Sequence, residues 1–230
     1  MRGVASLEAF ESKAIKLHDL GLEDHVCFVY STEEEHRSIV SDFIRLGLER
    51  NERVFCVLDG HLPEVINEYL RCHDLVFRDR AKTGQLQVAR YAGTDIFGSV
   101  FDPDRMVQWL SEETEFALAQ GWSGLRVTIE MTWLQRNSPD PERLLEFEQK
   151  LNRFLCRSKC MALCQYDQRH FSPLVLVSAL IAHPVAIVGT EIYDHLSYSI
   201  PPSFMSHQPS SVTLLQWLSG VMRDKASGLN

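Results

Sequence analysis

Short apolar runs alternate along the chain with longer stretches whose apolar residues recur at helical spacing. Arg53–Leu58 is almost continuously apolar, the signature of a strand buried on both faces. His25–Tyr30, Gln85–Ala89, Gly124–Glu130, Met161–Asp167 and Val185–Val188 read as further strands. Residues 33–50 carry Ile39, Val40, Phe43, Ile44 and Leu48 at helical spacing, and a helix follows from Pro63 to Cys72. Three helix starts are marked by a capping side chain ahead of proline at the first helical position: Asp102-Pro103, Asp140-Pro141 and Ser172-Pro173. The first of these helices stops at Gly121 and the last at His183-Pro184. Strands alternating with helices predict an α/β fold, a three-layer arrangement with a mainly parallel sheet, helices on both faces and right-handed crossovers.

The two ends read differently. Residues 5–20 form an amphipathic pattern through Phe10, Ala14, Leu17 and Leu20. Residues 198–209, with Pro201, Pro202 and Pro209 among serines, read as a linker. Residues 211–223 place Leu214, Leu215, Leu218, Val221 and Met222 on one helical stripe. The chain therefore divides into an N-terminal helix at 1–23, an α/β domain at 24–197, and a linker with an amphipathic helix at 198–230. A helix that short is marginal alone in water. Its stripe is expected to pack on its own domain, on a partner, or on a second copy in a homo-oligomer.

Composition narrows the function classes. With 45% hydrophobic and 23% charged residues, the chain has the make-up of a soluble globular protein. A net charge of −8 argues against a general nucleic-acid surface, so no direct nucleic-acid binding is expected. No apolar run reaches the roughly 18 residues of a membrane span, and Met1–Val4 opens no signal-peptide core. The expected location is cytoplasmic, with reduced cysteines rather than disulfides and no membrane contact.

Candidate chemistry gathers where three strands end. Ligands of open α/β sheets bind outside the carboxyl ends of the strands. If His25–Tyr30, Gly124–Glu130 and Met161–Asp167 are parallel neighbours, then Tyr30, Glu130, Trp133, Gln165, Tyr166, Asp167 and Arg169 share one crevice. Glu130 would serve there as a ligand contact or as a carboxylate bonded to nearby backbone N–H groups. The loop after the first strand, Ser31–Ser38, sits where a RecA-type ATPase cradles phosphate. It has neither glycine nor lysine, and it carries Glu33, Glu34 and Glu35. Like charges about 4 Å apart repel by on the order of 4 kcal/mol at an effective dielectric of 20. ATP hydrolysis is therefore not expected, and the glutamates also suit a helix N-terminus.

Cys156, Cys160 and Cys164 do not read as a metal site, because a helix break at Ser158-Lys159 puts Cys160 and Cys164 about 13 Å apart on a strand. His25, Cys27 and His170 form a weaker cross-strand metal candidate. No cofactor, resident metal or catalytic triad is expected.

Several of these motifs have a family counterpart. His25–Tyr30, Phe101–Met106, Leu125–Trp133, Leu145–Asn152, Leu163–Phe171 and His183-Pro184 together resemble the MEDS domain, the sensory domain of methanogen and methylotroph regulators of the DcmR type. The resemblance covers about residues 24–195. It implies a signal-transduction input domain with no established catalytic role. It also implies a RecA/KaiC-like fold without a functional nucleotide loop, sensing of small organic compounds, and coupling to a kinase or a transcription regulator. No kinase motif and no clear helix-turn-helix accompanies it here. Three functions are thus weighed: a non-enzymatic sensor, a structural adaptor, and an enzyme using Glu130 or Asp167 as general base.

Overall fold

A computed structural model describes residues 16–71, 77–91, 101–137 and 141–194, together with Thr213 and Gln216. Of the helix read over residues 5–20, residues 5–15 lie outside them, as do the 198–209 linker and most of the 211–223 stripe; the described remainder is a single 3-10 turn at Leu17–Asp19 between extended Lys16 and Leu20.

The elements run β1 (His25–Tyr30), α1 (Glu33–Glu49), β2 (Arg53–Leu58), α2 (Pro63–Arg71), α3 (Phe77–Lys82), β3 (Leu86–Arg90) and α4 (Pro103–Ala119). They continue with β4 (Leu125–Glu130), α5 (Trp133–Asn137), α6 (Pro141–Leu155), β5 (Cys160–Asp167), α7 (Pro173–Ala182), β6 (Val185–Val188) and β7 (Glu191–Asp194). The described strands form one sheet in the order β3-β2-β4-β5-β1-β6-β7. Every pairing is parallel except β6 with β7. The α/β reading holds, and β5 lies between β4 and β1 as the shared crevice requires. The edge strand β7 was not foreseen. It buries only Ile192 and Tyr193 between two exposed ends, too short a signal to stand out.

Strand alternation sends side chains to two separate cores. Val26, Phe28, Val54, Cys56, Leu58, Met161 and Leu163 meet Ile39, Phe43 and Ile44 of α1 and Ile66 and Leu70 of α2. Cys27, Val29, Phe55, Val57, Val127, Ile129 and Ala162 meet Leu110 of α4, Phe147 and Leu151 of α6, and Leu176 and Leu180 of α7. The central strands β1, β2, β4 and β5 are buried along their whole length. Their apolar runs follow from that, because parallel strands are covered on both faces.

Local chemistry fixes the helix that approaches the site. Thr32 caps α1, accepting from the Glu35 N–H, while Glu35 reaches back to the cap backbone. Farther along α1, Gly47 lies against the buried Arg126, where a Cβ would come within 2.6 Å of Arg126 Cδ. Only glycine lets the helix settle this close to β4. At α4 the Asp102 side chain caps the N–H groups of Asp104 and Arg105, as the Asp-Pro signal predicts.

Candidate functional site

At the carboxyl ends of the sheet, Tyr30 stands beside Asp167 and Glu130 beside Gln165 in register. Whether these side chains meet depends on strand parity. Tyr30 belongs to the core on the α1/α2 face. Glu130, Gln165 and Asp167 make their side-chain contacts with residues on that same side, Glu130 with His61, Gln165 with His36, and Asp167 with Arg169.

Two residues expected in the same crevice go the other way. Tyr166, between Gln165 and Asp167, is fully buried in the opposite core, with its hydroxyl toward Glu148 and its ring against Phe171. Trp133 is also fully buried there, stacked on Tyr91 and packed against Phe101. The period of two along β5 excludes Tyr166 from the Glu130 side. The turn into α5 carries Trp133 over the far face. One crevice lined by all seven residues is therefore replaced by a cluster holding Tyr30, Glu130, Gln165, Asp167 and Arg169.

That cluster is tied together by hydrogen bonds. Glu130 accepts the backbone N–H groups of Asp59, Gly60 and His61 at 2.7, 2.6 and 3.1 Å. Its other oxygen accepts from His61 Nδ1 at 2.8 Å. Of the two roles open to Glu130, the backbone-bonded one is present. Because His61 Nε2 donates to Glu33 at 3.0 Å, both ring nitrogens carry protons and the ring is an imidazolium. Glu33 also accepts from Arg169 at 2.7 Å, and Arg169 forks onto Asp167. One chain of ion pairs thus links the segments after β1, β2 and β5.

His36 stacks on His61, with ring centroids 4.3 Å apart and planes 7° from parallel. Its Nε2 meets Gln165 Oε1 at 2.6 Å, and its Nδ1 meets the Tyr69 hydroxyl at 2.9 Å. The Gln165 amide donates in turn to Thr128. Gln165 Oε1 is then the acceptor, so His36 carries its proton on Nε2 and accepts from Tyr69. Asp59 accepts from Thr132 at 2.6 Å and pairs with Arg136, holding the turn after β4 against the loop after β2.

The electrostatics follow from these contacts. The hydrogen bond to Glu130 raises His61 to about 9 against a cost of burial. Burial lowers neighbouring His36 to about 4, and the His61 charge adds to the effect. For Glu130 burial acts upward, but His61 and the backbone N–H groups hold the carboxyl below its usual range. Asp167 is likewise held low by Arg169 against burial. Arg169 and His61 bring Glu33 down to about 2.

The missing phosphate loop has a local explanation. The N–H groups of Ser31 and Thr32 are bonded to the Glu35 carboxylate at 2.7 and 3.2 Å. An internal carboxylate thereby occupies donors that a phosphate loop would offer to its ligand.

Two arrangements among the described residues bring together groups able to hold a cation. In Glu33, His36 and His61 every imidazole nitrogen already has a hydrogen-bond partner, so no lone pair is free for a metal. The second comprises His25, Cys164 and His183. The weaker candidate, His25 with Cys27 and His170, is not brought together. His25 opens β1, whereas His170 is exposed beyond the far end of β5, 3.6 Å from Asp167.

Sequence reading missed Glu33 as a site residue, and His36, His61 and Asp59 altogether. His36 had a usable signal, since it lies at helical spacing with Ile39, Val40 and Phe43 on the buried face of α1. His61 had none, because only the turn after β2 brings it under Glu130.

Comparison with known proteins agrees with this architecture. Residues 24–184 match the family described as MEDS, the methanogen/methylotroph, DcmR sensory domain. The transcriptional repressor DcmR of Methylorubrum extorquens is 26% identical over 174 residues, covering 72% of this chain. The match spans 60% of the length of that curated relative. A KaiC-like protein from the archaeon Pyrococcus horikoshii has a similar structure, with a TM-score of 0.52 at 12% identity over 77% of this chain and 80% of that one. It shares the fold.

Proposed function

The chain belongs to the MEDS family of sensory domains, and from that premise we propose that it is the non-enzymatic input unit of a cytoplasmic regulator. A small organic ligand binds at the strand carboxyl ends, and the signal leaves through protein contacts. Its curated relative is a transcriptional repressor, so the output is transcription control. The sensing unit is residues 24–197, and the signal passes to a protein partner or a second copy of the chain.

One observation carries this reading: Glu33 bridges His61 and Arg169, joining three segments at the strand ends. The Glu33 and Arg169 side chains are 58% and 46% exposed. Such pairs are individually weak, worth about 0–1 kcal/mol. A ligand with an acceptor group competes with Glu33 for His61 and Arg169, and separating the segments shifts α1 relative to the loop after β2. Only such a difference in contacts between two states lets a ligand move their balance.

General-base catalysis has little support here. Glu130 and Asp167 are both hydrogen-bonded and held below the usual carboxylate range, which is the wrong direction for accepting a proton near neutrality. The net charge of −8 likewise favours a protein partner over direct contact with nucleic acid.

Native mass spectrometry of freshly purified full-length chain, followed by thermal-shift screening of small organic compounds, tests the reading. The expected result is a retained or stabilising compound whose effect falls at least tenfold in apparent affinity in Arg169→Ala. If no compound binds, or if binding is unchanged in both Arg169→Ala and His61→Ala, ligand sensing at the strand ends is wrong.

A further inference from the structure

The face of the sheet opposite the Glu130 cluster holds a second group of buried polar side chains. His25 begins β1, Cys164 lies in β5, Glu148 in α6, and His183 caps the end of α7. All four are buried. Burial of that many polar groups calls for partners, because an unpaired one costs about 1–3 kcal/mol. Two atoms have none: neither Glu148 Oε2 nor His183 Nε2 makes a hydrogen bond.

The hydrogen bonds that do exist assign the protons. His183 Nδ1 lies 2.7 Å from the Ala179 carbonyl oxygen, so it donates and leaves a lone pair on Nε2. His25 Nδ1 lies 2.8 Å from Asn152 Oδ1, while the Asn152 amide nitrogen donates to the Ala182 carbonyl at 2.8 Å. That orientation makes Asn152 Oδ1 an acceptor and puts the His25 proton on Nδ1 as well. Both imidazoles therefore aim Nε2 lone pairs at the same Glu148 oxygen, each from 3.6 Å. Cys164 Sγ is 3.5 Å from His25 Nε2. Imidazoles fixed through Nδ1–H to an oxygen acceptor, with Nε2 turned inward, are the usual arrangement around a protein-bound metal.

We propose that His25, His183, Cys164 and Glu148 bind one divalent transition metal of the zinc class. Zinc bonds of about 2.0–2.3 Å to nitrogen, oxygen and sulfur set tetrahedral ligand–ligand edges of roughly 3.3–3.6 Å. Three of the six edges, Cys164 to His25 at 3.5 Å and each histidine to Glu148 at 3.6 Å, match that range, and the two histidine–carboxylate contacts are too long for good hydrogen bonds. Mixed nitrogen, sulfur and carboxylate donors select zinc and its neighbours over magnesium or calcium. A dication also supplies the charge that a carboxylate and a thiolate need in an apolar core. Access is from an open cleft of about 470 Å³, where His25 and His183 join Asn152, Arg153, Cys156 and Ile181 in the lining. The proposal is independent of ligand sensing at the strand carboxyl ends, since the two clusters share no residue.

Cobalt(II) titration of the chelator-treated full-length chain provides the test. One equivalent should give the strong visible bands of four-coordinate cobalt and a near-ultraviolet thiolate-to-cobalt band, both displaced by zinc. Cys164→Ser should lose the thiolate band, and His183→Ala should weaken cobalt affinity at least a hundredfold. Cys156→Ser at the cleft and His61→Ala at the other cluster should change neither. Circular dichroism of each variant shows whether it folds. If a variant does not fold, stoichiometric zinc in the wild-type chain with a zinc-induced rise in melting temperature, the stoichiometry and the size of the rise both preserved in His61→Ala, stands in its place. Absence of the four-coordinate spectrum in wild type overturns the proposal, as does a spectrum lost in His61→Ala.

Discussion

Each face of the sheet holds a histidine pair beside a buried glutamate, and the two pairs are bonded in opposite ways. On the α1/α2 face, His36 and His61 stack with centroids 4.3 Å apart, and each of their nitrogens has a partner. On the α6/α7 face, His25 and His183 lie 3.9 Å apart, and both Nε2 atoms converge on Glu148. The charges diverge accordingly. Glu130 raises His61 to about 9, whereas burial lowers His25 to about 4 and raises Glu148 to about 8. The same residue types make a closed network in one place and, in the other, two imidazoles whose Nε2 atoms meet only a thiol and a carboxylate oxygen 3.6 Å away. What separates them is what holds the rings: two carboxylates on His61 with a hydroxyl and an amide oxygen on His36, against a single carbonyl oxygen on the Nδ1 of His25 and of His183.

The sharpest way to break this contrast is to remove the first glutamate. Glu130→Ala leaves three backbone N–H groups and an imidazolium without their acceptor. It should cost about 3–5 kcal/mol in urea unfolding, the scale for breaking a buried pair. A loss under 1 kcal/mol would show that water satisfies these donors and that the network is not closed.

The pH dependence of stability comes next. His61 is raised in the folded state from an ordinary value near 6.5 to about 9. Its contribution is therefore fully present below about pH 6.5 and is lost as pH rises through about 9. Glu130 is shifted down, so its contribution is present above its ordinary value of 4.5 and is lost as pH falls. Stability should decline on the alkaline side with a slope of at most about 1.4 kcal/mol per pH unit from this one proton. His61→Gln should flatten that limb. An unchanged alkaline limb in the variant would mean that His61 does not hold the extra proton.

A smaller effect is expected at the second glutamate. With chelator present, Glu148→Gln should change unfolding free energy by less than about 1 kcal/mol, because it removes a buried carboxyl lacking strong partners rather than a satisfied one. In zinc the wild type should gain stability that the variant does not. A loss above 2 kcal/mol in chelator would put Glu148 in the same class as Glu130.

The smallest effect belongs to the exposed bridge. A double-mutant cycle between Glu33→Ala and Arg169→Ala should give a coupling of about 0.2–1 kcal/mol. A coupling above about 2 kcal/mol would make the bridge a rigid part of the fold, too strong for a small ligand to open.

Much of the fold was legible because each local signal stands alone. The run Arg53–Leu58 needs only its own composition to read as a doubly buried strand, and its observed bounds agree. Asp102-Pro103 marks the start of α4 by capping chemistry that no distant contact alters. The site was less legible. Tyr166 follows Gln165 by one residue, yet the two reach opposite cores, and the face given to each comes from α1, α6 and α7 rather than from β5 itself. Trp133 looked like a pocket residue until α5 turned it under Phe101.

By itself, the sequence determined the alternation of strands and helices, the loss of the phosphate loop at Ser31–Ser38 and the family motifs, because periodicity, capping and missing glycines are local properties. Only the tertiary structure decided which histidines pair. His36 meets His61 because α1 and the loop after β2 arrive over the same strand ends. His25 meets His183 because the parallel β1–β6 pairing puts the start of β1 beside the residue that ends α7. Such contacts are set by strand order and crossover, and no spacing along the chain encodes them.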